Sequence, residues 1–129
     1  IAKANEVLKR LTDPKTTFAE QVKAFQVLDI AAKRGSPLEV EVQVIALGND
    51  VAFVSLPGEV FVELGLSIKK ASPFKHTFIV ELANGSIGYI PNKSAYPEGQ
   101  YEVLSARCAA GSGEMLVATV LKLLAELRQ

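Results

Sequence analysis

Val51-Ala52-Phe53-Val54-Ser55-Leu56-Pro57-Gly58-Glu59 is the stretch on which the fold turns. Its first six residues form a nearly continuous apolar run, the pattern of a strand buried on both faces, and Pro57-Gly58 ends it. A strand that closes in Pro-Gly-Glu delivers a carboxylate to the C-terminal edge of a sheet, where α/β proteins place their sites. Proline fixes the chain there, glycine lets backbone approach closely, and the Glu59 carboxylate is a hard oxygen ligand or a general base. The plain alternative is an acid in the first turn of a helix, present for capping and for the dipole. Taken alone, the tetrapeptide favours that plain alternative.

Upstream, Leu38-Glu39-Val40-Glu41-Val42-Gln43-Val44 alternates strictly between apolar and polar residues, so it predicts a half-exposed strand. Gly48-Asn49-Asp50 joins it to the apolar run with residues that tolerate positive φ, giving a hairpin. Nearer the start, Ala4, Val7, Leu8 and Leu11 recur at helical spacing as far as Thr12-Asp13-Pro14, where proline bars a helical residue before it. Thr16 or Thr17 caps a second helix, and Glu20 completes a capping box with Thr17. Its stripe is Phe18, Val22, Phe25, Leu28, Ile30 and Ala32, Gly35 stops it, and a sheet is the expected packing surface.

Downstream, residues 59–70 read as a helix that Ser72-Pro73 closes, and residues 77–82 as a third strand followed by an Asn84-Gly85 turn. Residues 86–100 make a glycine- and proline-interrupted connection longer than most, and such loops are functional or disordered. All three tyrosines, Tyr89, Tyr96 and Tyr101, fall in it or at its edge, which argues against simple disorder. Residues 101–106 read as a fourth strand, and Ser112 as the cap of a final helix with Leu116, Val120, Leu123, Leu124 and Leu127 inside. The fold class is α/β or mixed α+β: three to four strands in a mixed sheet that starts with a hairpin, with helices packed on it. A helical part, 1–35, precedes a mixed part, 38–129, either as a single domain or as the C-terminal piece of a larger layered one.

Composition narrows the function. At 129 residues with 49% hydrophobic and 22% charged, the chain has enough apolar material for one core. Fourteen basic and fourteen acidic residues balance to zero, so no electrostatic footprint points to nucleic acid or an anionic membrane. Apolar runs fall far short of the roughly 20 residues that span a bilayer. Cys108 is the single cysteine, excludes an internal disulfide, and reads as a small buried thiol. His76 is the single histidine; with one histidine and one cysteine the chain does not complete a zinc site, and His76 reads as a strand-edge residue. No Gly-x-Ser-x-Gly elbow is present. Gly111-Ser112-Gly113 lacks the lysine and spacing of a P-loop, which leaves helix capping. Tyr89, flanked by small residues in Asn84-Gly85-Ser86-Ile87-Gly88-Tyr89, packs structurally or presents a phenol whose ionisation needs a nearby cation.

The run 52–59, followed by Asn84, Tyr89, Tyr96 and Tyr101-Glu102, resembles the neutral ceramidase family and its shorter bacterial relatives, over roughly residues 42–129. The resemblance implies a zinc ion held by two histidines, the glutamate of the Pro-Gly-Glu turn and a downstream tyrosine, in an enzyme that hydrolyses the amide of ceramide. By the same pattern Glu59 matches the glutamate ligand, Tyr89 the tyrosine ligand, and Tyr101 the tyrosine that contacts the substrate carbonyl. The gapless register from Asn84 to Glu102 reverses the odds on Glu59. Ser86 stands where the family often has another tyrosine, and Lys93-Ser94-Ala95 replaces a more acidic segment, so the substrate is ceramide-like or another amide. The family's metal histidines and catalytic serine lie upstream of its Pro-Gly-Glu turn, and His76 matches neither histidine. The expectation is therefore the C-terminal portion of a zinc-dependent amide hydrolase, inactive without a missing N-terminal part. The rival is a non-catalytic binding or homo-oligomerising module derived from that fold. Compartment is left open, with secretion or a periplasmic location an expectation for the full-length family.

Overall fold

The computed structural model describes residues 1–33 and 35–128, which form two compact units, Ile1–Leu38 and Glu39–Gln129. In the first unit, α1 (Ala2–Leu8) and α2 (Phe18–Ala32) pack as a helical pair. Thr17 caps α2 through the reciprocal bonds of a capping box, its Oγ1 accepting from the Glu20 amide at 3.3 Å and the Glu20 carboxylate accepting from the Thr17 amide at 2.8 Å. Those bonds to Thr17 hold the Glu20 carboxyl below its ordinary range. Two expectations are corrected here. The first helix ends at Leu8, short of Leu11, and α2 buries Ala24 with Val27 and Leu28 against Ala4, Val7 and Leu8 of α1. Phe18 and Phe25 are exposed, because small Ala24 lets α1 approach on the neighbouring face.

The second unit is built on β1 (Gln43–Leu47), β2 (Val51–Ser55) and β4 (His76–Val80), in the order β1-β2-β4. β1 and β2 are an antiparallel hairpin across Gly48, whose φ of +59° suits glycine. β2 and β4 run parallel, joined through β3 (Glu59–Val60) and the crossover helix α3 (Val62–Ala71). This is the mixed α+β arrangement expected. Alternation of exposure runs back to Leu38, but ladder pairing starts only at Gln43, opposite the last residue of β2, so the first strand is shorter than its sequence pattern.

One face of the sheet is the core. Ala52, Val54 and Leu56 are buried with Leu64 and Ile68 of α3, Phe74, and Val120 and Leu124 of α5 (Ser112–Leu127). The other face is open, which corrects the expectation that β2 is buried on both sides. Ile45, Phe53 and Phe78 stand in one row across the strands, 53%, 36% and 49% exposed, with the two phenylalanine rings stacked at 5.1 Å.

Past β4, β5 (Tyr89–Ile90) pairs in parallel with β3, a 3-10 turn follows over Lys93–Glu98, and α4 spans Tyr101–Ser105. The long connection is thus ordered, with the Asn92 side chain accepting from the Ala95 amide at 3.1 Å. Residues 101–105 are helical, not a fourth strand; five residues carry too little periodicity to separate the two. Ser112 is not a cap either. Gly111, in a left-handed conformation at φ +94°, holds that position without a side-chain bond. Gly113 is needed for close packing, since a Cβ there would run into the Leu64 side chain and the Pro91 carbonyl.

Candidate functional site

The Leu56–Glu59 turn leaves the C-terminal end of β2 and is stitched to the segment after β4 by backbone. The Ala83 amide donates to Leu56 O at 3.1 Å, Ile87 to Pro57 O at 2.9 Å, Leu82 to Gly58 O at 3.3 Å, and Glu59 to Gly88 O at 3.0 Å. Gly58 permits that approach: a Cβ on it would lie 2.5 Å from Gly88 O. The close approach of backbone read from the sequence is therefore to the protein's own chain. Glu59 does not open a helix. It is the first residue of β3, and the first-turn acid of α3 is Glu63.

Through the β3–β5 pairing, Glu59 stands opposite Tyr89. The facing Glu59 carboxylate raises the Tyr89 phenol above the ordinary 10.0, first as a hydrogen-bond acceptor and then through its charge. Tyr101 and Glu102, on the first turn of α4, add smaller contributions of the same sign. The Tyr101 ring meets Tyr89 edge-on, with centroids 5.9 Å apart and planes at 76°, and is itself 68% exposed. The three residues singled out from the sequence, Glu59, Tyr89 and Tyr101, thus come from β3, β5 and α4 and meet at one place.

Tyr96 has a different role. Its hydroxyl donates to Cys108 O at 2.8 Å and lies 3.6 Å from the Cys108 sulfur, while the Cys108 thiol lies 3.7 Å from the Tyr89 carbonyl. Burial, then the bond to Cys108, pushes the Tyr96 phenol far above its ordinary range. Tyr96 and half-buried Cys108 therefore brace the backbone behind Tyr89.

His76 lies at the other end of the sheet. It pairs with Val51 at the start of β2, whereas the chain reaches Glu59 only beyond Ser55, and a five-residue strand alone spans roughly 13 Å. As oxygen donors, Glu59 and Tyr89 suit a hard or borderline cation, but two are fewer than the three or four protein ligands that zinc takes. Among the described residues no group of three or more histidine, cysteine, aspartate or glutamate side chains converges as a metal site. Sequence reasoning gave Ser55 no role and read Asn84 as a turn residue and the start of the tyrosine register, without the bond between them. The Asn84 side-chain amide donates to Ser55 Oγ and to Gln43 Oε1, each at 3.2 Å, and no local pattern signals bonds over such separations.

No helix among the described residues is long and apolar enough to cross a membrane. No protein-family model and no curated protein sequence matches the chain. Similar solved structures do exist. A neutral ceramidase from Pseudomonas aeruginosa is 18% identical with a TM-score of 0.57, over 67% of this chain and 15% of that one. A ceramidase complexed with C2 is 19% identical with a TM-score of 0.61, over 67% of this chain and 14% of that one. The chain spans about a seventh of the length of either, and its fold is that of a portion of the ceramidase structures.

Proposed function

We propose that this chain is the C-terminal portion of the catalytic domain of a ceramidase-like, zinc-dependent amide hydrolase, and that it is not competent alone. The observation that carries the reading is the pairing of Glu59 with Tyr89 across β3 and β5, with Tyr101 edge-on beside them. The fold shared with the ceramidase structures supports it.

Glu59 and Tyr89 are the residues that would hold the metal, the carboxylate as an anionic oxygen and the phenol as phenolate. Beside Glu59 the phenol holds its proton more firmly than usual, and a bound cation would favour its phenolate form. Zinc, when bound, supplies a Lewis acid that polarises an amide carbonyl and lowers the pKa of water. Tyr101, exposed at the edge of the pair, donates a hydrogen bond to the carbonyl oxygen of a ceramide-like or other amide. The remaining ligands, two histidines by the resemblance, and the catalytic serine come from an N-terminal part of the same domain.

The test uses the protein in which this chain is joined to that part. Glu59→Ala is expected to abolish both zinc retention and hydrolysis of a short-chain N-acylsphingosine. Retention of both would overturn the proposal. The open apolar face around Phe53 and Phe78 favours a second reading, a binding or homo-oligomerising module. Light scattering that finds only monomer at high concentration counts against self-association.

A further inference from the structure

The polar residue inside the apolar run, Ser55, and the asparagine that opens the tyrosine register, Asn84, have no part in the chemistry above. The structure brings them together. Ser55 ends β2 and pairs with Gln43, the first residue of β1; Asn84 lies four residues beyond β4. The Asn84 amide nitrogen bridges Ser55 Oγ and Gln43 Oε1, and the Ser55 hydroxyl in turn donates to the Ala83 carbonyl at 3.4 Å. Ser55 thus uses its one donor and an acceptor on two consecutive residues of the same loop. One small cluster ties the ends of β1 and β2 to the chain leaving β4.

From this anchor the loop travels five residues to Tyr89. Along the way the Gly88 amide bonds to Ser86 Oγ at 3.2 Å, and the Ile87 amide and Gly88 carbonyl bond to the Pro57 carbonyl and Glu59 amide. Asn84 has φ +61°. If it served only as a left-handed turn residue, glycine would replace it without loss. A side chain bonded to two strands is a different device: it fixes where the loop begins relative to the strand that leads into Glu59.

We propose that Ser55 and Asn84 form a positioning clasp, which holds the loop carrying Tyr89 in register with the turn carrying Glu59. The inference rests on the reading of Glu59 and Tyr89 as partners in one site. The clasp touches neither substrate nor metal; it acts through the backbone of residues 83–88. Ser55 and Asn84 share one of the three bonds and hold one more each, so removing both releases the loop further than removing either, but by less than the sum of the two.

The test is amide hydrogen exchange, followed by NMR in the metal-free 129-residue chain, on Asn84→Gly, Ser55→Ala, the double variant and Ser55→Thr. Glycine keeps the left-handed backbone, and threonine keeps the hydroxyl. In Asn84→Gly and in Ser55→Ala the Glu59 and Ile87 amides exchange roughly five- to tenfold faster, the size of one lost hydrogen bond. The double variant exceeds either single but falls short of their product, Ser55→Thr keeps the slow rate, and the buried Ala52 and Val54 amides are unchanged. The Tyr89 to Tyr101 ring cross-peak weakens in parallel. Unchanged exchange at Glu59 and Ile87 overturns the clasp; so does equal acceleration at Ala52 and Val54, which marks a general loss of stability, and so do additive effects in the double variant. A full-length protein that binds no zinc counts against the proposed function while leaving this readout intact, so the two fail separately.

Discussion

The two ends of the β1-β2-β4 sheet differ in how their backbone is held. Where β2 and β4 begin, His76 pairs with Val51 and gives its amide to Asp50 O at 2.9 Å, and at the hairpin turn a Cβ added to Gly48 would meet nothing within 4 Å. Where the same strands finish, four backbone bonds lock residues 56–59 to residues 82–88, and the lock brings Glu59, Tyr89 and Tyr101 together. Histidine is the better zinc ligand by chemistry. A converging site nevertheless needs several donor side chains brought together, and at the C-terminal end of the sheet Glu59, Tyr89 and Tyr101 meet.

The strongest way to break the comparison is to put a methyl group into each end. Gly58→Ala drives a Cβ to 2.5 Å from Gly88 O and 2.9 Å from Ile90 Cδ1, so the turn and loop must part. Overpacking of this kind costs about 3 kcal/mol at its upper range. Gly48→Ala meets open space and carries only the left-handed backbone penalty, about 1 kcal/mol. Denaturant midpoints compare the two, and equal shifts would erase the distinction.

A smaller effect sharpens the electrostatic side. Glu59→Gln weakens the hydrogen-bond acceptor and removes the charge that together hold the proton on Tyr89, so the Tyr89 phenol moves back toward 10.0 in an ultraviolet titration, with Tyr89→Phe identifying its share of the signal. The sign for stability follows. A phenol whose pKa is raised on folding contributes stability that is complete below its unfolded value and fades as pH rises through the folded one. The Tyr89-linked loss of stability above about pH 10 is therefore smaller in Glu59→Gln than in the parent chain. An unmoved titration would mean that the two side chains do not interact. The smallest effect belongs to the other end: His76→Ala, at an exposed position, shifts stability by less than about 0.5 kcal/mol and leaves the Tyr89 titration untouched.

What was legible in the sequence was local. The Thr17–Glu20 capping box, the hairpin across Gly48 and the Leu116, Val120 and Leu124 part of the α5 stripe each depend on residues a few positions apart, whereas Leu127, expected inside, is exposed. What was illegible depends on partners far along the chain. Glu59 reads as a helix-start acid until β5, thirty residues on, pairs with it as a strand. The same holds for Ser55 and Asn84, twenty-nine positions apart. Gly111 holds the cap position in place of Ser112, and Gly113 packs against Leu64 and Pro91, a tertiary demand that propensity does not register. Glu59, Tyr89 and Tyr101 were picked out together only through their resemblance to a family register. Composition and periodicity carried no such signal.

Anomalous diffraction at the zinc edge tests the central claim most directly, on crystals of the protein in which this chain is joined to the part that supplies the remaining ligands. One peak is expected about 2 Å from both a Glu59 carboxylate oxygen and the Tyr89 phenolic oxygen. A bound zinc that contacts neither residue, or one held at His76, would contradict the assignment of Glu59 and Tyr89 as its ligands.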